Sequence, residues 1–112
     1  MGERKRALSA YSLLKGMNII WSAEAIADLI SLRAYIAERN PTAARRTAQR
    51  IIESIEDVLV HNPHIGRPGR VSGTREFVIT KTPYIVPYRV RNDALEILRV
   101  YHGARRWPDG FR

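Results

Sequence analysis

The feature that most constrains this chain is a change of apolar period at Asn62-Pro63. Before it, apolar residues recur at helical spacing; beyond it, they alternate. Ala25, Ile26, Leu29, Leu32, Ile36 and Ala37 make one helical stripe, and Ala44, Ala48, Ile51, Ile52, Ile55, Val58 and Leu59 make a second. Asn40-Pro41 divides them, with Asn40 suited to cap the second helix and Pro41 to its first position. Ser22 is the matching cap for the first helix, with Glu24 in the turn where a carboxylate complements the helix dipole. Two amphipathic helices on so short a link fold back as an antiparallel hairpin with one apolar face to bury.

What buries that face is the period-two half. Tyr84, Val86, Tyr88 and Val90 alternate with Ile85, Pro87, Arg89 and Arg91, which reads as a strand. Arg75–Thr80 precedes it across the turn Lys81-Thr82-Pro83. Leu95–Tyr101 follows across Asn92-Asp93, a hairpin signal that lacks the usual glycine. His64–Gly69 reads as loop, Ser72-Gly73-Thr74 as a turn, and Met17–Trp21 as a short leading strand. The expected fold is α+β: an N-terminal strand, an antiparallel helical hairpin, then a three-strand antiparallel meander, all in one mostly antiparallel sheet. Pro87 fits badly in the middle strand of a meander, because it has no N–H to donate. Either a bulge lies there or the strand order differs. Residues 1–16 lack an apolar period and read as a flexible basic extension, leaving residues 17–112 as a single domain.

Charge adds a second constraint. The net charge is +8, and residues 61–112 hold nine arginines and one lysine against four acids, whereas residues 17–60 hold five arginines against six acids. A basic half rich in Arg predicts an anionic partner, either nucleic acid or an acidic polypeptide. No run approaches the roughly 20 apolar residues of a membrane span. The absence of cysteine excludes disulfides and thiolate chemistry and suits the cytoplasm.

The chemistry-bearing residues are few. His61, His64 and His102 form no metal-ligand spacing, and neither a metal nor another cofactor is expected. No serine sits in a nucleophile motif. Gly66-Arg67-Pro68-Gly69-Arg70 is no phosphate-cradling loop, because Pro68 removes one of the N–H groups such a loop uses. One acid–base reading remains. His102, with Arg99, Arg105 and Arg106, could serve RNA cleavage by the RNA's own 2′-hydroxyl, the arginines stabilising the phosphorane. Trp107 could stack on a base or anchor a protein partner.

Taken together, the loop GRPGR, the segment TREFVITKTPYIVPYRV and the ending ILRVYHGARRWP resemble the RelE/ParE superfamily, toxins of bacterial type II toxin–antitoxin pairs. The resemblance runs from Met17 to Pro108. It implies a cognate antitoxin with an acidic, flexible wrapping segment, and contact with DNA mainly through that antitoxin. The ribonuclease branch, which cuts mRNA on the ribosome, tends to carry lysines and an arginine where this chain has Glu76, Val78 and Ile85. It also carries a C-terminal tyrosine, for which Phe111 is the nearest aromatic here. The ParE-like branch poisons DNA gyrase through a binding surface alone. The resemblance therefore favours a gyrase-directed toxin whose target surface is Arg105, Arg106, Trp107, Arg89 and Arg91. Its antitoxin surface is then Arg45, Arg46, Arg50 and Arg75, at a groove between the hairpin and the sheet. Two alternatives stay open: a ribosome-dependent endoribonuclease using His102, Arg99 and Arg105, and a non-toxic basic nucleic-acid-binding module.

Overall fold

The computed structural model describes residues 17–104. Strand β1 (Asn18–Trp21) leads into helix α1 (Ala23–Ala37) and helix α2 (Pro41–Asp57), followed by a single 3-10 turn at Leu59–His61. Strands β2 (Arg67–Pro68), β3 (Arg75–Val78), β4 (Tyr84–Arg91), β5 (Ala94–Ile97) and β6 (Tyr101–His102) complete the described chain. The α+β class and the element order agree with the sequence reading. Both helix caps form as expected: Ser22 Oγ accepts from the Ala25 amide at 2.9 Å and Asn40 Oδ1 from the Ala43 amide at 3.0 Å.

The strands lie in the order β1-β5-β4-β3-β2, with β6 also on β4. Only β1, beside β5, is parallel to its neighbour. Asn92 and Asp93 close the β4–β5 hairpin with φ of 54° and 60°. Two successive left-handed residues are the backbone of a type I′ turn, which Asn and Asp tolerate without glycine.

Two expectations for the strands need correction. The segment expected to be loop at His64–Gly69 contains β2, paired with Arg75 and Glu76. The expected last strand, Leu95–Tyr101, is two strands separated by Leu98–Val100. Pro87 explains the break. Tyr88 faces Ile97 and Ile85 faces Tyr101, so three steps along β4 oppose four on the other side. One residue is extra, which is a bulge. Pro87 offers its carbonyl to the Leu98 amide at 3.0 Å but has no N–H to return. The backbone groups freed there are taken up by α1: Ser22 Oγ donates to the Leu98 carbonyl at 2.8 Å and Asp28 accepts from the Val100 amide at 2.9 Å.

The core lies between the hairpin and one face of the sheet. Leu32, Ile51, Ile55 and Leu59 meet Val86, Tyr88, Leu95 and Ile97, with Ile19 and Trp21 packed at the edge. Each large apolar side chain fully buried there stabilises the fold by about 1.5–3 kcal/mol. The α1 stripe differs from the expectation at Ile26, which is 47% exposed, as is its neighbour Ile30 at 64%. Ala25, Leu29, Leu32 and Ile36 make the inner stripe, and α1 is apolar on its outer side as well.

Candidate functional site

The bulge decides what the end of the sheet can do. It turns the Arg99 side chain onto α1, where Nε and Nη2 meet the two oxygens of Asp28 at 2.7 and 2.9 Å. The guanidinium also lies 4.7 Å from the centre of the Tyr101 ring. Hydrogen bonding to Asp28 holds the Arg99 pKa above its ordinary value. At this helix–sheet junction the cation is engaged by a carboxylate and an aromatic face.

His102 sits three residues on, opposite Tyr84 in the β4–β6 pairing, with the two rings edge to face at 5.6 Å. Its Nδ1 accepts from the Ala104 amide at 3.2 Å, which leaves the proton of the neutral ring on Nε2. A cleft between α1 and this end of the sheet is lined by Asp28, Ser31, Leu32, Tyr35, Tyr84, Val100 and His102. It holds one imidazole and one carboxylate, and both oxygens of that carboxylate already accept hydrogen bonds. The structure brings Arg99 and His102 near one another in the chain but gives Arg99 to Asp28. Arg105, Arg106 and Trp107 lie outside the described residues.

Glu76 is the second centre. Its side chain is 2% exposed and accepts from Arg67 Nη2 at 3.0 Å, Arg67 Nε at 3.2 Å and the Arg70 amide at 2.8 Å, with Arg70 Nε at 3.6 Å. A carboxylate so placed is stable because it is paired and hydrogen-bonded on both oxygens. The arginines of the Gly66–Arg70 loop are thereby engaged by the strand behind them.

Arg89 and Arg91 share Glu96, at 2.5 and 3.3 Å. Hydrogen bonding to Arg89 is the main cause that holds Glu96 below the ordinary glutamate pKa. Arg75 points Nη1 at the His64 and Gly66 carbonyls, at 3.2 and 2.8 Å. Every described arginine of the basic half therefore has an internal acceptor. The helical hairpin is the opposite case. Arg45 and Arg46 are exposed on α2 and Arg50 is half-buried; with Arg33 and Arg39, they have no ion-pair partner among the described residues.

Sequence reasoning did not identify Asp28 or Glu96 as the residues that engage these cations. Asp28 lies 71 residues from Arg99, and no local spacing signals such a pair. Glu96 was legible in principle, since it falls opposite Arg89 once the Asn92-Asp93 turn fixes the register. Among the described residues there is no cluster of His, Cys, Asp or Glu able to hold a metal, and no helix long and apolar enough to cross a membrane.

Residues 19–107 match the family model described as the ParE toxin of the type II toxin–antitoxin system parDE. A protein of Sinorhizobium fredii described as a toxin, Y4kP, is 43% identical over 90 residues, which cover 80% of this chain and 92% of that protein. Toxin RelE2 of Caulobacter vibrioides is 36% identical over 87 residues, covering 78% of this chain and 96% of its own. Among solved structures, the chromosomal ParDE system from P. aeruginosa superposes with a TM-score of 0.71 at 30% identity, over 77% of this chain and 95% of the other. The toxin–antitoxin complex RelBE2 from Mycobacterium tuberculosis gives 0.58 at 24% identity, over 78% and 98%, a likeness of fold alone.

Proposed function

As a member of the ParE toxin family, this chain is the toxin component of a type II toxin–antitoxin system, and from that premise we propose that it inhibits DNA gyrase and is neutralised by an acidic cognate antitoxin. The carrying observation is Glu76. Cleavage of RNA needs cations around the phosphorane. At a sheet position where the ribonuclease branch tends to place a lysine, this chain buries a carboxylate and uses Arg67 and Arg70 to neutralise it. Arg99, a candidate phosphate partner, is bidentate on Asp28. His102 therefore lacks the help of Arg99, the arginine three residues before it. A binding surface without catalytic residues fits this arrangement better than an active site does.

The antitoxin surface of this reading is the outer side of α2. Arg45, Arg46 and Arg50 on α2 have no ion-pair partner among the described residues and so can turn to an acidic segment, whereas on β4 Glu96 already engages Arg89 and Arg91. Arg75 takes no direct part in this reading, since its Nη1 is held by loop carbonyls. The target surface extends from Arg89 and Arg91 towards Arg105, Arg106 and Trp107. The cell compartment is the cytoplasm, where gyrase works.

The test is plasmid supercoiling by purified gyrase, with this protein freed from its antitoxin. Inhibition is expected, with cleaved plasmid accumulating, and His102→Ala should inhibit as well as the parent. A second reading, mRNA cleavage on ribosomes, draws on the exposed His102 in its cleft and the 36% identity to a protein described as Toxin RelE2. Cut mRNA after induction, lost in His102→Ala with gyrase unaffected, would establish that reading instead.

A further inference from the structure

The face of the sheet turned away from the helices is buried at a place that no described helix covers. Val86 and Tyr88 point into the core, so Ile85 and Pro87, which alternate with them on β4, lie on the opposite face. Residues directly opposite one another in a sheet share a face, which adds Tyr101 beside Ile85 and Glu76 beside Pro87. Leu98, whose amide bonds to the Pro87 carbonyl, adjoins them at the bulge. Ile85 is 8% exposed, Leu98 7% and Tyr101 6%, and Pro87 is below 2%. None of the four is among the residues of the core between hairpin and sheet.

The charged side chains of this face are occupied beside that patch. Arg67 and Arg70 are drawn to Glu76, and Arg89 is drawn to Glu96, which leaves the Ile85–Tyr101 end to be covered by something else. The cover is local. Val78, opposite Ile85 on β3, is 48% exposed, and Arg91 is exposed at the far end of β4. Its footprint is that of one or two large side chains, not of a further layer.

The chain itself arrives at this spot. After β6 it turns at Gly103, whose amide donates to the Pro83 carbonyl at 2.7 Å. A Cβ on Gly103 would stand 3.3 Å from Ile85 Cδ1, so the backbone already lies against the outer face. The described residues end one position later, and residues 105–112 follow, with Trp107, Pro108 and Phe111 among them. Trp107 is three positions beyond Ala104, a reach of about 10 Å, and Pro87 lies about 7 Å from Ile85 along the strand. An indole within that reach has the apolar area to cover the patch.

We propose that residues 105–112 dock on the outer face of the sheet, with Trp107 seated on Ile85, Pro87 and Tyr101. The docked segment carries Arg105 and Arg106 onto the face where Arg89 and Arg91 stand, since both alternate with Tyr88 as Pro87 does. The docking stands on the burial of this face. The use of these arginines as one surface for the target rests on the toxin reading above.

The experiment measures acrylamide quenching of tryptophan emission in the parent and in Trp107→Phe. The chain has two tryptophans, Trp21 and Trp107, so the difference between the two proteins belongs to Trp107. Docking predicts that this difference signal is quenched severalfold more weakly in the folded chain than in urea. Ile85→Asp, read with and without Trp107→Phe, sets a charge beneath the indole. It should return the quenching of Trp107 to its level in urea while circular dichroism holds, whereas Val78→Asp on the exposed side should leave it protected. Where Ile85→Asp does not fold, Ile85→Ala takes its place and should raise the quenching part of the way. A Trp107 quenched as freely in the folded parent as in urea overturns the docking. Protection unchanged in the folded Ile85 variant overturns it too. Plasmid supercoiling by gyrase reads the second step. If the parent inhibits, release of the segment in the Ile85 variant should raise the concentration for half-inhibition by about tenfold, and equal inhibition overturns the shared surface. If the parent does not inhibit, the gyrase reading fails and the shared surface with it, while quenching alone decides the docking.

Discussion

The helical hairpin and the sheet carry arginines in similar number but in opposite states. On the sheet side, Arg67 and Arg70 meet Glu76, Arg89 and Arg91 meet Glu96, Arg99 meets Asp28, and Arg75 meets carbonyls. On the hairpin, Arg33, Arg39, Arg45, Arg46 and Arg50 meet none of the described acids. Segment by segment, the basic half is the sheet. The guanidiniums without an ion-pair partner among the described residues are those of the hairpin, where acids also without one, such as Glu53, Glu56 and Asp57, lie on α2. Net charge locates cations along the chain, whereas partners in space decide which of them another molecule can use.

The sharpest way to break this contrast is to remove an internal anion. Glu76→Ala should destabilise the protein by about 3 kcal/mol, because it leaves Arg67, Arg70 and the Arg70 amide without their acceptor. Urea unfolding followed by circular dichroism measures this. A loss below about 0.5 kcal/mol, the range of ordinary surface changes, would mean that the pairs are incidental.

The matching change on the hairpin should act on binding and not on folding. Replacing Arg45, Arg46 and Arg50 together by Glu should weaken antitoxin affinity by about a hundredfold, with the larger part in the association rate. Unfolding free energy should move by no more than about 0.5 kcal/mol. Titration calorimetry at low and high salt separates the two effects, since only the binding term is screened. Unchanged affinity would remove α2 from the antitoxin surface.

How much of this the sequence displayed follows from the range of each interaction. Ser22 and Asn40 were legible because a cap bonds three residues away. The hairpin and the β4–β5 turn were legible for the same reason. The ion pairs were not: Asp28 and Arg99 are brought together only by the packing of α1 on a bulge. Pro87 announced that something would break but not on which side, since that depends on which neighbour its missing N–H would have faced. Ile26 was placed inside because a stripe can be drawn through it, yet an apolar helix allows more than one stripe. Of the candidate target residues, Arg89 and Arg91 proved half-neutralised, while Arg105, Arg106 and Trp107 lie outside the described residues.

The two caps carry the comparison to smaller energies. Asn40 serves the hairpin alone, so Asn40→Ala should cost about 1 kcal/mol. Ser22 caps α1 and also donates to the Leu98 carbonyl on the sheet, so Ser22→Ala should cost more, about 2 kcal/mol. Equal losses in thermal melts would mean that the second bond contributes nothing.

The smallest effect lies at Glu96, the acid that serves Arg89 and Arg91. Glu96 is held below its ordinary value chiefly by hydrogen bonding to Arg89, and the pair is partly exposed. A carboxyl whose folded pKa is depressed binds its proton more readily in the unfolded chain. Its contribution is therefore complete above the ordinary glutamate range, near pH 4.5, and is lost as pH falls through the lower folded value. The loss should amount to at most about 1 kcal/mol after solvent screening. Glu96→Gln should lower stability at pH 7 by that amount and flatten the slope below pH 4.5. Adding salt should shrink the difference between parent and variant, because both arginines still see water. A parent and variant with identical acid slopes would show that Arg89 and Arg91 are as free as the arginines of α2, and would return β4 to the surface on which an acidic partner can dock.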